Sequence, residues 1–257
     1  MFRKIRIAAL LLILLIVALD SWLDKSRSQD WSRTLRVVVY PINGDGSRSS
    51  AQYITTLKRE TLVPIEAFFK REGLRYGLAL RNPVDIQLAP EVKTRPPSLP
   101  RERSVLNTMW WSLKMRYWAY SADNYQGPAP EVRMFVLYFD PHQHPRLDHS
   151  VGLEKGLLGV VKAFAGMRQA ARNNVVIAHE LLHTVGASDK YDPHTNLPLY
   201  PQGYADPVQR PRYPQRRAEI MGGRIPLSDQ RAVIPESLEE TLIGAPSARE
   251  INWIVND

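Results

Sequence analysis

Hydrophobic residues follow one another along this chain in a pattern that predicts strands and helices in mixed order. Runs rich in β-branched and aromatic residues predict four strands, at residues 35–42, 84–88, 132–139 and 156–165. Turn residues at 43–46 close the first run, and the strongly apolar 132–139 run is expected to be central in the sheet. The pattern favours an α+β fold with a mixed, twisted sheet.

Three stretches carry apolar residues at helical spacing. Residues 51–75 predict a helix that Pro64 should kink or divide, and residues 237–255 predict a final helix broken at 244–246. Residues 102–121 predict a helix dense in Trp and Tyr. We expect these aromatic side chains to pack mainly in the core, with contact to a membrane interface as the alternative.

The N-terminal residues have the character of an export signal. Arg3, Lys4 and Arg6 precede the uninterrupted apolar run 7–19, and no small-residue cleavage site follows it. We therefore expect residues 1–23 to be an uncleaved signal anchor that spans the membrane, residues 24–33 a polar tether, and residues 34–257 one domain outside the cytoplasm. Cleavage of the segment would instead give a secreted protein.

The composition limits which metal ligands and which partners the chain can have. The chain has no cysteine, which excludes disulfides and thiolate metal sites, so a zinc ion would need histidine and carboxylate ligands. The net charge is +8, but the basic residues are scattered, and we expect no nucleic-acid partner for a domain outside the cytoplasm.

The most informative stretch is the run from His179 to Asp189, which reads HELLHTVGASD. On a helix, His179 and His183 lie on one face because they are four residues apart, so their ring nitrogens can converge on one metal ion. Glu180 then projects beside the metal as a general base. The plainer interpretation is that these are ordinary helix residues that bind no metal. A buried histidine pair without a metal would, however, be costly to desolvate.

This run resembles the signature of the metzincin zinc peptidases, HExxHxxGxxH, with Asp189 in place of the third histidine as in the snapalysin-like branch. Lys190, Tyr191 and Asp192 are similar to the DxYD run of immune-inhibitor-A-like peptidases. The resemblance implies a zincin-like domain with an irregular C-terminal part, a Zn2+ cofactor and hydrolysis of a peptide or protein substrate. Gly186 would let the helix end in a left-handed turn and bring Asp189 to the metal.

A second stretch supports the same family. Residues 218–223 (AEIMGG) resemble the methionine turn that lies beneath the metal in metzincins, and Met221 would be its methionine. The stretch also offers Glu219 as a rival third ligand, as a downstream glutamate is in thermolysin-like enzymes. Asp189 is favoured because it fits a fixed spacing, whereas Glu219 fits a loose one.

Other residues leave further possibilities open. One of four tyrosines (Tyr191, Tyr200, Tyr204 and Tyr213) could donate to the tetrahedral intermediate, as a tyrosine does in some metzincins. His142, His144 and His149 lie in one loop and raise the possibility of a second metal site, against which the neighbouring prolines argue. By the same resemblance, the strand at 156–165 would line the cleft and pair antiparallel with extended substrate, a role that would need an open sheet edge.

The sequence thus predicts a zinc-dependent endopeptidase tethered outside the cytoplasm. Metal ligands are expected to be His179, His183 and Asp189, and the catalytic base Glu180. The alternative from a different class is a membrane-tethered binding or scaffold protein in which the zinc site is structural.

Overall fold

A five-stranded sheet forms the centre of the domain in the computed structural model, which describes residues 30–98, 100, 102, 104–147, 151–153 and 157–254. Its strands are β1 (Leu35–Asn43), β2 (Val84–Leu88), β3 (Val132–Phe139), β4 (Val151–Leu153) and β5 (Leu158–Phe164). Their spatial order is β2-β1-β3-β5-β4. All neighbours are parallel except β4, which is antiparallel to β5. The fold is therefore mixed α/β, with the predicted mixed sheet.

Helices and short strands complete the described part of the chain. The α-helices are α1 (Arg48–Thr56), α2 (Val63–Arg75), α3 (Val105–Ala122), α4 (Ala170–Thr184) and α5 (Ala245–Glu250). Two-residue strands follow α4 along the chain, namely β6 (Ala218–Glu219), β7 (Ile225–Pro226), β8 (Ala232–Val233) and β9 (Thr241–Leu242). Much of the segment after α4 is irregular, as expected.

Both faces of the sheet are covered. On β1, Val37 and Val39 point to one core and Val38 and Tyr40 to the other, and all four are buried. The larger core contains residues of α1, α2, α4 and α5, and the smaller core lies beneath α3. Burial on both faces explains why β1 and β3 are nearly continuous apolar runs, as central parallel strands usually are, whereas the edge strand β2 (VDIQL) alternates apolar and polar residues.

The predicted helix at 51–75 is divided. Helix α1 ends at Thr56, and α2 begins at Val63 with Pro64 in its first turn. A proline is tolerated there because the first N–H groups of a helix have no partner within the helix. The division therefore precedes Pro64.

The prediction for the C-terminal tail was wrong. Residues 244–246, expected to break a helix, instead begin one: Gly244 is the N-cap of α5 and Pro246 lies in its first turn. The helix spans only Ala245–Glu250, and a 3-10 turn at Leu238–Glu240 precedes it.

Strand β5 does not have the open edge that the substrate-pairing role would need. β5 has a neighbour on each side, because it pairs with β3 and with the short strand β4. Among the described residues, the edge on this side of the sheet is β4, which the sequence did not reveal because three residues carry too little periodicity.

The predicted anchor (residues 1–23) and most of the tether lie outside the described residues. In the part of the chain that is described, no helix is both long enough and apolar enough to cross a membrane.

Candidate metal centre

Helix α4 is fixed to the sheet and to its neighbours by polar side chains at its start. The Asn173 amide donates to the Phe164 carbonyl (2.9 Å) and accepts from the Phe164 N–H (3.1 Å), as a paired strand residue would. Asn174 donates to the Thr61 carbonyl at 2.8 Å. Leu181 and Leu182 are fully buried and pack in the larger core. The helix is thus held at both the first turn and the apolar face, which orients the histidines that follow.

The end of α4 sends the chain back toward those histidines. Gly186 has φ +105°, the Gly186 N–H donates to the His183 carbonyl (3.1 Å) and the Ala187 N–H to the Leu182 carbonyl (3.0 Å). These two bonds around a left-handed glycine form a Schellman motif. The expected left-handed turn at Gly186 is confirmed, and it carries the chain to Asp189.

Three atoms that could bind a metal ion converge beside the helix. His179 Nε2 and His183 Nε2 lie 3.1 Å apart, and Asp189 Oδ1 is 3.2 Å from the first and 3.1 Å from the second. The two rings are nearly perpendicular, at 85°. The structure therefore brings together the three residues predicted as ligands.

The other ring nitrogens fix the tautomer of each histidine. His179 Nδ1 lies 2.9 Å from the Ile220 carbonyl oxygen, and His183 Nδ1 lies 2.8 Å from the Ala187 carbonyl oxygen. A carbonyl can only accept, so each Nδ1 carries the proton and each Nε2 presents a lone pair. Carbonyl acceptors of this kind commonly orient histidines that bind metals.

A metal ion between the three atoms could bond all of them at once, whereas a proton can be shared by only two. Ligand atoms ~2.0–2.1 Å from a tetrahedral zinc are about 3.3 Å from one another, close to the separations seen here. Two imidazoles and a carboxylate are also a ligand set that zinc accepts. The site therefore fits a zinc ion in both geometry and chemistry.

The charges at the site agree with this geometry. Burial alone would raise the pKa of the Asp189 carboxyl, but its contacts with His179 and His183 hold that pKa well below its usual range. Burial alone would lower the pKa of His179, but Asp189 and the charge of Glu180 raise it. Asp189 is thus an anion near neutral pH, as a metal ligand must be.

Glu180 is buried, 6% exposed, on the helix that carries both histidines. Its charge raises the pKa of both His179 and Tyr191, which places the carboxylate beside the site. Glu180 is not one of the three converging groups.

The turn around Met221 lies against the first histidine. The carbonyl that accepts from His179 belongs to Ile220, and the Met221 carbonyl accepts from the Lys190 N–H at 2.9 Å. Met221 itself is fully buried, and Gly223 closes the turn in a left-handed conformation. One short turn therefore orients a histidine and ties down the residue after Asp189.

Glu219 does not join the donor cluster. Its carboxylate is fully buried and accepts from the Gly222 N–H (2.8 Å), the Gly244 N–H (3.0 Å) and the Ser247 hydroxyl (2.7 Å). Burial raises the pKa of this carboxyl. Its contacts join the Met221 turn to the start of α5, which is a structural arrangement.

A carboxylate that the sequence did not point to holds the segment that carries Asp189. Glu250, the last residue of α5, accepts from the Ser188 hydroxyl (2.6 Å), the Ser188 N–H (2.9 Å) and the Lys190 ammonium (2.7 Å). Lys190 is only 4% exposed, so the ammonium end of this ion pair is shielded from water, whereas the Glu250 side chain is 34% exposed. Glu250 thus binds the residues on both sides of Asp189, Ser188 and Lys190. No sequence signal links positions 60 residues apart.

Among the four candidate tyrosines, Tyr191 lies beside the cluster, with its ring centroid 6.4 Å from that of His179. Burial and the adjacent Asp189 carboxylate raise the pKa of Tyr191 to about 12, so its hydroxyl remains a proton donor at neutral pH. The other three contact one another: the Tyr204 and Tyr213 hydroxyls are 2.9 Å apart, and the Tyr200 ring meets the Tyr204 ring.

The second histidine loop forms no comparable centre in the described part of the chain, where His179, His183 and Asp189 are the only group arranged to hold a metal ion. His144 lies 3.9 Å from Asp45, and the Asp140 carboxylate accepts from the His142 N–H. His149 lies outside the described residues.

Comparison with known proteins gives no relative: no family model matches the chain, and no curated protein matches it. The site must therefore be interpreted from its own chemistry.

Proposed function

We propose that the chain is a zinc-dependent endopeptidase with a zincin-like fold. The observation that carries this proposal is the convergence of His179 Nε2, His183 Nε2 and Asp189 Oδ1 to within 3.2 Å, next to a buried glutamate. A mixed sheet, a helix with an HExxH run, a glycine turn and a buried Met221 in the following part support the resemblance to metzincins.

In this proposal His179, His183 and Asp189 hold the zinc ion, with the Ile220 and Ala187 carbonyls fixing the imidazoles. A bound zinc supplies Lewis acidity, which polarises a peptide carbonyl and makes water acidic enough to lose a proton near neutral pH. Glu180 accepts the proton of the attacking water and passes it to the leaving amine. We assign to protonated Tyr191 a hydrogen bond to the carbonyl oxygen on which negative charge develops.

Strand β4 is the place we assign to the substrate backbone. It is the edge strand of the sheet on the side of β5, and its contacts with α4 place it near the helix that carries the histidines. An extended peptide can add to such an edge through main-chain hydrogen bonds, which would bind many sequences with little selectivity. The substrate class is therefore an extended peptide or an unfolded stretch of a protein.

The decisive experiment is Glu180→Gln in the full chain, purified in mild detergent. The substitution keeps the size of the side chain but removes the base, so we expect about one zinc per chain and unchanged melting, with turnover of peptides lowered ~10²–10⁴-fold. Metal analysis, thermal melting and mass spectrometry of a peptide panel measure the three quantities. Glu239→Gln, at a side chain that is 85% exposed, is the matched control and should retain activity.

Chelation should abolish the activity of the unmodified chain, and added zinc should restore it. If the zinc-loaded chain cleaves no peptide or protein and its biological role survives Glu180→Gln, the scaffold interpretation replaces the enzyme.

A further inference from the structure

Helix α3 is apolar on two sides. One side packs on the sheet, where Trp111, Met115 and Ala119 are buried in the smaller core and the Trp118 ring lies 4.5 Å from that of Phe135. The opposite side exposes large side chains at spacings of three and four residues, namely Leu106 (77%), Met109 (42%), Trp110 (62%), Leu113 (38%), Tyr117 (76%) and Tyr120 (79%). We call these six residues the α3 stripe.

The α3 stripe is continuous over roughly 21 Å at the rise of an α-helix. Single exposed apolar residues are normal on a protein surface, but a row of six along one helix is a contact surface. Among the described residues, no element of the chain covers it. The surface therefore has a partner outside the described fold.

The composition of the α3 stripe and its surroundings points to lipid. Trp and Tyr side chains, apolar with one polar edge, are the residues enriched at the membrane–water interface. Helix α3 contains no acidic residue. The segment 91–116 carries Lys93, Arg95, Arg101, Arg103, Lys114 and Arg116 against the two acidic residues Glu91 and Glu102. Lys93 forms an ion pair with Glu91, so the net positive charge comes from the other cations.

The described cations of this segment flank the helix. Trp118 donates to the Thr94 hydroxyl (3.1 Å) and Trp111 to the Pro97 carbonyl (3.1 Å), which holds the segment containing exposed Lys93 and Arg95 alongside α3. The Lys114 ammonium lies over the Trp110 ring at 5.5 Å. An apolar row bordered by cations is complementary to a bilayer with anionic headgroups.

The position of α3 relative to the start of the domain is compatible with this contact. Asp123, which directly follows α3, pairs with Arg133 near the start of β3, and Glu131 in turn binds the Arg36 N–H at the start of β1. The end of α3 thus lies at the end of the sheet where the chain enters. Trp31, within the predicted tether, is buried in the larger core and donates to the Ile251 carbonyl. The tether that remains is residues 24–30, which would span at most about 25 Å when extended and would keep this end of the domain near the membrane.

We propose that the α3 stripe docks the domain onto an anionic lipid surface. Docking of this kind would fix the orientation of the domain relative to the membrane, beyond what a flexible tether provides. The proposal does not depend on peptidase activity.

The absence of cysteine makes a direct test possible, because a single introduced thiol can be labelled in the full chain. Tyr117→Cys on the α3 stripe and Leu74→Cys on α2, a 59% exposed position in the layer across the sheet, receive the same nitroxide label. Both proteins are placed with vesicles of three parts phosphatidylcholine to one part phosphatidylglycerol. Accessibility to oxygen, which concentrates in lipid, is compared with accessibility to a water-soluble nickel complex.

We expect the oxygen-to-nickel accessibility ratio at position 117 to exceed that at 74 by roughly threefold or more, since an interfacial helix buries its apolar face ~5–10 Å below the headgroup boundary. Tyr120→Cys should behave like Tyr117→Cys. The ratio at 117 should fall in vesicles of phosphatidylcholine alone. An unchanged ratio would show that the cations do not contribute to docking. Equal, water-like values at 117 and 74 would overturn the proposal. Shielding from both reagents with spin–spin broadening would overturn it in favour of a second copy of the chain.

Discussion

At the scale of single residues, Asp189 and Glu219 have opposite surroundings. The Asp189 side chain is 43% exposed and contacts only the histidines and Tyr191 among the interactions described, whereas Glu219 is fully buried with three donors around it. We expect Asp189→Ala to weaken zinc binding by a hundredfold or more, on the order of 3 kcal/mol, with little change in melting of the metal-free protein. Asp189→Asn, which keeps the size but not the charge, should also weaken it.

Glu219→Ala should do the reverse, because it leaves buried donors without an acceptor, each costing ~1–3 kcal/mol. Melting should fall while zinc affinity of the folded fraction stays within a few-fold. Competition with a fluorescent chelator measures the affinity, and calorimetry the melting. The opposite ranking, with tighter zinc binding in Asp189→Ala than in Glu219→Ala, would contradict the ligand assignment.

The convergence of His179, His183 and Asp189, with Glu180 on the same helix, could be predicted from the sequence because the relation of these residues is local. Helix geometry fixes the two histidines and Glu180, and one glycine turn connects them to Asp189. The sequence could not decide the place of Glu219, because the partners that hold its carboxylate include Gly244 and Ser247, on an element far along the chain.

At the scale of elements, the short helix α5 contacts the segment that carries the candidate ligand Asp189 through Glu250. Removing this side chain in Glu250→Ala frees Ser188 and leaves the buried Lys190 ammonium without its carboxylate. Groups that orient ligands typically contribute 10–100-fold to metal affinity, and we expect a loss of that size. At saturating zinc, peptide turnover should return, because Glu250 touches no reacting atom.

The matched control is Arg249→Ala, an exposed neighbour on the same helix, which should leave zinc affinity unchanged. Chelator competition on both variants is compared with melting of the metal-free proteins. A lowered melting temperature with unchanged zinc affinity would mean that Glu250 only stabilises α5.

Long, strongly patterned elements were predictable, and short ones were not. Strands β1 and β3 follow apolar runs that are buried on both faces, and β2 and β5 alternate buried and partly exposed residues; both patterns are typical of strands. Strand β4 has three residues, and α5 has six, so their existence depends on neighbours that the local sequence does not contain. The sequence predicted helix α3, but it could not show that Trp110, Tyr117 and Tyr120 are exposed. Their exposure depends on which face of the helix packs on the sheet.

At the scale of the whole molecule, the proposed peptidase site and the α3 stripe belong to a domain whose N-terminal segment lies outside the described residues. The basic residues Arg3, Lys4 and Arg6 before the apolar run 7–19 should stay in the cytoplasm. The domain would then be on the far side of the membrane, where the tether and the α3 stripe together limit which substrates it can reach.

This topology predicts that a reporter enzyme fused after Asp257, active only when exported, will be active. The same reporter should be inactive when residues 1–23 are deleted. Substituting Arg3, Lys4 and Arg6 together by Glu is the matched test of orientation, because it leaves the apolar run intact while removing the charges that retain its start in the cytoplasm. It should lower the exported fraction.

Without a cleavage site, N-terminal sequencing of the mature protein should find residues 1–19 intact in the membrane fraction. An N-terminus beyond residue 20 in the soluble fraction would show a released enzyme instead.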